Sequence, residues 1–188
     1  CNFIVCHIGG GISISAHLKG KMVDGNDIVG GEGPMAPTRC GSVPAIEIAK
    51  YTAEHGLDVA RAHCMKTGGF VDLLGTSDAI EVCDRAAAGD KAAARAWDAM
   101  VYQICKWIGE MACVLKGDVD GILLGGGMVH SKELVASIEE CCSWIAPVSA
   151  YPGEFELEAM AAGACRVLDG VEDALAYSGE PVFTGFND

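Results

Sequence analysis

The sequence holds no C-x-x-C pair, no G-x-S-x-G elbow and no H-E-x-x-H pattern. Zinc ribbons, thioredoxin-like redox centres, α/β-hydrolase nucleophiles and zincin metal sites are thereby excluded. It also lacks G-x-G-x-x-G and a P-loop lysine, so it carries neither a Rossmann fingerprint nor a Walker motif. Basic residues are scarce: 13 Lys and Arg stand against 26 Asp and Glu, a formal net charge of −13. A surface this acidic repels nucleic acid and anionic membrane, and neither is expected as a partner. Any phosphate site must be built locally, from backbone N–H groups and a few cations. No apolar run reaches membrane-spanning length, and no basic-then-apolar segment opens the sequence.

What is present is apolar. Hydrophobic residues make up 51% of the 188, and that length suits one domain, or one and a small appendage, with a real core. The ten cysteines are expected to be reduced. Cys6, Cys83, Cys105 and Cys113 sit inside apolar runs and read as buried small hydrophobes of a cytoplasmic protein. The adjacent Cys141 and Cys142 read as one partly exposed thiol and one buried thiol. Cys1 stands inside an apparent strand, so the chain is expected to be a piece of something longer.

Along the chain, Asn2 to Ile8 is an apolar run and Ile12 to Leu18 alternates. Ile12, Ile14, Ala16 and Leu18 face one way; Ser13, Ser15 and His17 face the other, as in a half-buried strand. A third strand begins at Met22, making an antiparallel meander. Gly25 to Gly41 is too rich in Gly and Pro for regular structure. Helices are expected from Pro44 as first helical residue to Gly56, over Leu57–Met65, and over Ala79–Ala88 behind the caps of "GTSD". The strongest helix follows the cap Asp90. Trp97, Met100, Val101, Ile104, Ile108, Met111 and Leu115 recur at helical spacing up to Gly117. "DGILLGGG" is a buried strand, Ser131 to Cys142 a helix, and "WIAPVSAYP" a strand. A last helix runs from Glu154 to Leu168, before a polar-ended tail, "PVFTGFND". The order predicts an α/β domain with a mixed sheet: a three-stranded antiparallel meander extended by parallel strands and flanked by helices.

Four stretches could carry chemistry. Gly9, Gly10 and Gly11 form either a plain hairpin turn or a backbone cradle for an anion. His7, two residues before, could donate to a transferring phosphoryl group or be a strand histidine. "ILLGGGMVHSKEL" feeds a strand through Gly125, Gly126 and Gly127 into a helix, where α/β sheets bind nucleotides. Arg39, in "GEGPMAPTRCG", is an arginine in a stiff, weakly charged loop, suited to clamp phosphate oxygens. Glu154, Glu156 and Glu158 suit a helix N-terminus, and one could also bind Mg²⁺.

In this order the four stretches resemble the acetate/butyrate kinase family of the acetate kinase, sugar kinase, Hsp70 and actin superfamily. "VCHIGGGISISAH" is similar to that family's second phosphate segment, "EGPMAPTRCGSVP" to its arginine loop and "ILLGGGMVHSKEL" to its adenosine segment. "APVSAYPGEFELEAMAAGACRVL" resembles its closing strand and helix. "HIGGG" where acetate kinases carry "HLGNG", together with "YPGE" and "GTSD", resembles the butyrate branch. The resemblance implies a ribonuclease H-like, actin-like ATPase fold. It implies that Gly9, Gly10 and Gly11 cradle ATP/ADP phosphates and that Gly125, Gly126 and Gly127 pack on adenosine. It further implies that His7 and Arg39 act on the phosphoryl group and that Glu156 positions Mg²⁺.

The family's first lobe has no counterpart in these residues. The expectation is therefore that residues 1–188 form the C-terminal nucleotide-binding lobe of a bilobal kinase, inactive by itself. The implied reaction is Mg-dependent phosphoryl transfer between ATP and a short-chain carboxylate, giving acyl phosphate. The implied partners are nucleotide, carboxylate or acyl phosphate, the enzyme's own N-terminal lobe and a second copy of the chain. An acetate or propionate kinase and a non-catalytic actin-like ATP-binding module are the alternative readings.

Overall fold

A computed structural model describes residues 1–179; the "PVFTGFND" tail lies outside them. The chain forms two compact units, Cys1–Glu154 and a second from Phe155 onward.

The first unit is built on a five-stranded sheet in the order β3-β2-β1-β4-β5. Strands β1 (Phe3–Ile8), β2 (Ile12–Leu18) and β3 (Lys21–Gly25) are the expected antiparallel meander. β4 (Gly121–Gly126) and β5 (Val148–Pro152) add to the other side of β1 in parallel. Period-2 patterning decides which face is covered. Ile4, Cys6 and Ile8 of β1, Ile12, Ile14 and Ala16 of β2, and Ile122 and Leu124 of β4 are buried. Leu18 departs from the alternation and is 43% exposed, because β2 ends there and β3 turns away through Lys19-Gly20.

Against that face lies α5 (Lys91–Val114), the helix with the clearest sequence signal. Asp90 caps it, accepting from the N–H groups of Ala92 at 2.9 Å and Ala93 at 3.2 Å. Trp97, Met100, Ile104, Ile108, Met111 and Leu115 are all buried in the core, and Val101 is packed at its edge. Burying each of these side chains contributes about 1.5–3 kcal/mol. α6 (Lys132–Cys142) adds Leu134, Ile138 and Cys142 to the same core.

The remaining helices depart further from expectation. α1 (Ala45–His55) buries none of its residues, so its apolar positions Ala45, Ile46, Ala49 and Tyr51 cover no core within the described residues. Pro44 stands at the cap rather than in the first turn. α2 (Leu57–Met65) and α4 (Ala79–Ala87) match the expected spans. A further short helix, α3 (Phe70–Leu74), follows Gly68-Gly69 and buries Phe70 against Trp97, ring centroids 6.4 Å apart. Five residues are too few for a readable period. β5 starts only at Val148; Trp144 to Pro147 are not strand. Of the cysteines expected to be buried, Cys6 and Cys105 are, Cys83 is intermediate and Cys113 is exposed on the solvent side of α5. Cys142 is buried and Cys141 exposed, as expected.

The second unit contains α7, which runs Glu156–Leu168. Glu154 therefore precedes the helix instead of opening it.

Candidate active site

The carboxyl ends of parallel β1 and β4 lie side by side: His7 pairs with Gly125 across them, and with Ser13 of β2 on its other side. Both strands then run into glycines. The Gly9–Gly11 turn is closed by the Gly9 N–H donating to the Gly11 carbonyl at 3.1 Å. None of these three glycines sits in the left-handed region, so backbone conformation does not explain them. Space does. A Cβ on Gly11 would collide with the Arg39 guanidinium, and one on Gly10 would meet nothing within 4 Å. Gly9 has the His7 Nε2 3.5 Å from its absent Cβ.

Arg39 is brought there by a braced loop. Ala36 and Arg39 bond each other reciprocally, N–H to carbonyl, at 3.2 Å both ways. The Gln103 Oε1 of α5 accepts from the N–H groups of Met35 at 2.8 Å and Ser42 at 3.0 Å, pinning both ends of the loop. The Val71 N–H donates to the Pro37 carbonyl at 3.1 Å. Gly68 and Gly69 pack directly on the backbone of residues 36–40, where no side chain would fit. Thr38 Oγ1 then donates to the Gly10 carbonyl at 3.0 Å, tying the loop to the glycine turn. In this setting the Arg39 Nε and Nη1 are buried and have no hydrogen-bond partner. An unsatisfied buried guanidinium is costly, and its natural complement is an oxyanion.

A cleft of about 670 Å³ opens beside the turn. Its walls are Gly9 and Gly10, Pro37 of the arginine loop, Ser77 to Ile80 at the start of α4, Gly127 to Ser131 after β4, and Glu154. The two glycine runs and the arginine loop, separate in sequence, thus converge on one cavity. His7 and Arg39 are not on its walls; His7 lies beside Gly9 and Arg39 against Gly11. Gly125 and Gly126 lie in β4 behind Gly127. Ser77–Ile80 escaped sequence reasoning because "GTSD" reads fully as helix capping; Asp78 does cap α4, accepting from the N–H groups of Ile80 and Glu81.

Two cysteines border the site, and neither is poised as a nucleophile. Burial, reinforced by the adjacent Cys64 thiol, pushes Cys40 up to about 11. Burial and a hydrogen bond with Glu133 raise Cys83 above the ordinary thiol range. Thiols held protonated attack poorly. Asp78, Asp84 and Glu154 are the acidic residues that line the cleft; Asp78 is engaged in capping α4, and Glu156 opens α7 in the second unit. Mg²⁺ usually keeps several waters and takes one or two carboxylates plus substrate phosphates, and the wall carboxylates Asp84 and Glu154 fit that donor set.

The model of the acetokinase family matches residues 1–141. The chain belongs to the acetokinase family. It is 47% identical over 178 residues to a probable butyrate kinase of Coprothermobacter proteolyticus, covering 94% of this chain and 50% of that protein. A probable butyrate kinase of Enterococcus faecalis is 45% identical over 179 residues, with the same coverage of 94% and 50%. The chain thus spans about half the length of the curated relatives it matches. Among solved structures, Porphyromonas gingivalis acetate kinase aligns with TM-score 0.64 at 29% identity, over 76% of this chain and 36% of that one. Entamoeba histolytica acetate kinase aligns with TM-score 0.76 at 19% identity, over 86% and 51%, a likeness of fold alone. The acetokinase-family architecture is accordingly the actin-like α/β fold expected from the motif order.

Proposed function

We propose that this chain is the C-terminal, nucleotide-binding lobe of a butyrate kinase, which transfers a phosphoryl group reversibly between ATP and a short-chain carboxylate. The observation that carries this is the Arg39 guanidinium, buried on Gly11 with two donor nitrogens unpartnered. Its charge is matched when an anionic phosphoryl or carboxylate group arrives. The relatives at 45–47% identity favour butyrate over acetate or propionate as the acid.

In this reading Gly10, whose absent side chain leaves open space, lets nucleotide phosphates approach the backbone N–H groups of the turn. Gly127 and Met128, which line the cleft together with Ser77 to Ile80, would pack on the adenosine. Arg39 holds the phosphoryl oxygens and offsets charge as the group moves. His7, beside Gly9, donates a hydrogen bond to the same group. Mg²⁺, when bound, neutralises phosphate charge; Glu156, or Glu154 on the cleft wall, would hold it directly or through water. Such transfer needs positioning and charge stabilisation more than covalent chemistry, consistent with the protonated thiols nearby. A second lobe would close the cleft and exclude water, protecting the acyl phosphate from hydrolysis. Residues 1–188 alone would bind nucleotide weakly and turn over little.

The test uses the full-length enzyme and Arg39→Met. Coupled assays with butyrate, propionate and acetate should rank butyrate first, and Arg39→Met should lower turnover by roughly 100-fold or more. Thermal unfolding without ligand should leave the variant as stable as the parent or more so, because the unpaired charge is gone. A destabilised variant that keeps its activity would mean that Arg39 is structural. Preference for acetate or propionate would move the enzyme to another branch of the family. ATP binding without phosphoryl transfer to any acid would favour the actin-like module.

A further inference from the structure

Three thiols converge where α5 meets the end of α6. The sulfurs of Cys105, Cys141 and Cys142 all lie within 4.8 Å of one another. Cys105 and Cys142 belong to the buried core, and Cys141 is exposed. Among the described residues no other three His, Cys, Asp or Glu side chains come close enough to share an ion. None of the three lines the cleft, and phosphoryl transfer has no use for them.

The geometry and the charge select the ligand. Three sulfurs about 2.3 Å from one pyramidal centre stand roughly 3.5 Å apart, so the trio, already within 4.8 Å, closes on such a centre by about 1 Å or slightly more. Structural zinc takes four protein ligands, and no fourth donor joins this group among the described residues. A divalent ion on three thiolates would also leave a net negative charge. That charge would sit half-buried, next to Glu140, whose carboxylate acts on Cys141. A ligand that exchanges for three protons and leaves no charge avoids this penalty.

We propose that Cys105, Cys141 and Cys142 form a three-sulfur site for a trivalent, thiophilic metalloid of the arsenite class. Arsenous acid would condense with the three thiols. Three As–S bonds form and three As–O bonds break. Each hydroxyl leaves as water with one thiol proton, and arsenic stays trivalent, so no oxidant is required. Cys141 offers the way in from solvent, and the two buried sulfurs complete the site. Occupancy joins α6 to α5 and raises the temperature of unfolding.

The experiment adds sodium arsenite to the full chain kept reduced by a phosphine, which does not compete as a dithiol would. Intact-mass spectrometry should read one arsenic gained and three hydrogens lost per chain. Because Cys105 is buried and its replacement could unsettle the core, the exposed Cys141 is the test position. Cys141→Ser should keep its circular dichroism and weaken arsenite binding roughly 100-fold, since one of three tethers is lost. Cys40→Ser, which removes a thiol from the separate Cys40–Cys64 neighbourhood, should bind as the parent does. Loss of only two hydrogens in the parent, undiminished binding in Cys141→Ser, or displacement of the arsenic by equimolar zinc would each overturn the proposal.

Discussion

Gly9–Gly11 follows β1, and Gly125–Gly127 closes β4; the two strands are parallel neighbours. Both runs are three glycines long, and both reach the same cleft. They use the missing side chains differently. In the first run no residue is left-handed, and the vacated space is filled by a side chain, Arg39 on Gly11. In the second, Gly126 has φ +99° and ψ 170°, a conformation essentially reserved for glycine. A Cβ there would also meet the backbone of Ile8, the nearest atom 2.5 Å away. One run makes room for a functional group; the other lets two strands touch. Identical tripeptides therefore answer different physical demands, and only their surroundings reveal which.

That contrast can be broken by substitution. Gly126→Ala should have the largest effect, about 2–5 kcal/mol of lost stability from backbone strain plus overpacking, read by urea unfolding. Gly127→Ala, with nothing within 4 Å of the new methyl, should stay within about 0.5 kcal/mol of the parent. Equal losses at 126 and 127 would dissolve the distinction. Next, Gly11→Ala should cost about 1–3 kcal/mol and, by displacing the Arg39 guanidinium, abolish activity of the full-length enzyme. Gly10→Val sharpens the test: stability should hold within about 0.5 kcal/mol, while ADP affinity measured by calorimetry falls. A Gly10→Val protein as unstable as Gly11→Ala would place packing, not ligand, at Gly10.

The smallest effect lies in the scaffold. The Arg85 guanidinium, and then the Ala93 and Ala92 N–H groups, hold the Asp90 carboxyl below the usual carboxylate range. Its folded value is thus depressed relative to the unfolded one. Its stabilising contribution is present above the unfolded value and is lost as pH falls through the folded value. Asp90→Asn should therefore melt slightly below the parent at neutral pH, and the difference should shrink on acidification. A gap that is constant with pH would show that the carboxylate charge plays no part.

Legibility in the sequence followed the range of the signal. α2, β1, β2 and α5 are specified by neighbours within one or two turns or pleats, and their bounds were readable. α3 was not, because five residues carry no period and its one buried member, Phe70, depends on Trp97 across the core. α1 was readable as a helix, but that none of its residues is buried was not, since a pattern states what a face can cover and not what arrives to cover it. At the site, the glycine runs and Arg39 were legible as motifs. Their meeting was not, nor was the role of Ser77–Ile80 in the cleft wall.

By itself the sequence determined the order of the strands and of every helix but α3, the acidic charge balance, the family resemblance and the candidate residues for meeting a phosphate. Those properties rest on composition and on local period. Tertiary structure decided that Thr38 reaches Gly10 across 28 residues and that Arg39 lies on Gly11 with its donors unpaired. It also decided that three cysteines from two helices share one spot. Each of these is a meeting of distant segments, set by sheet order and core packing, and no local rule encodes it.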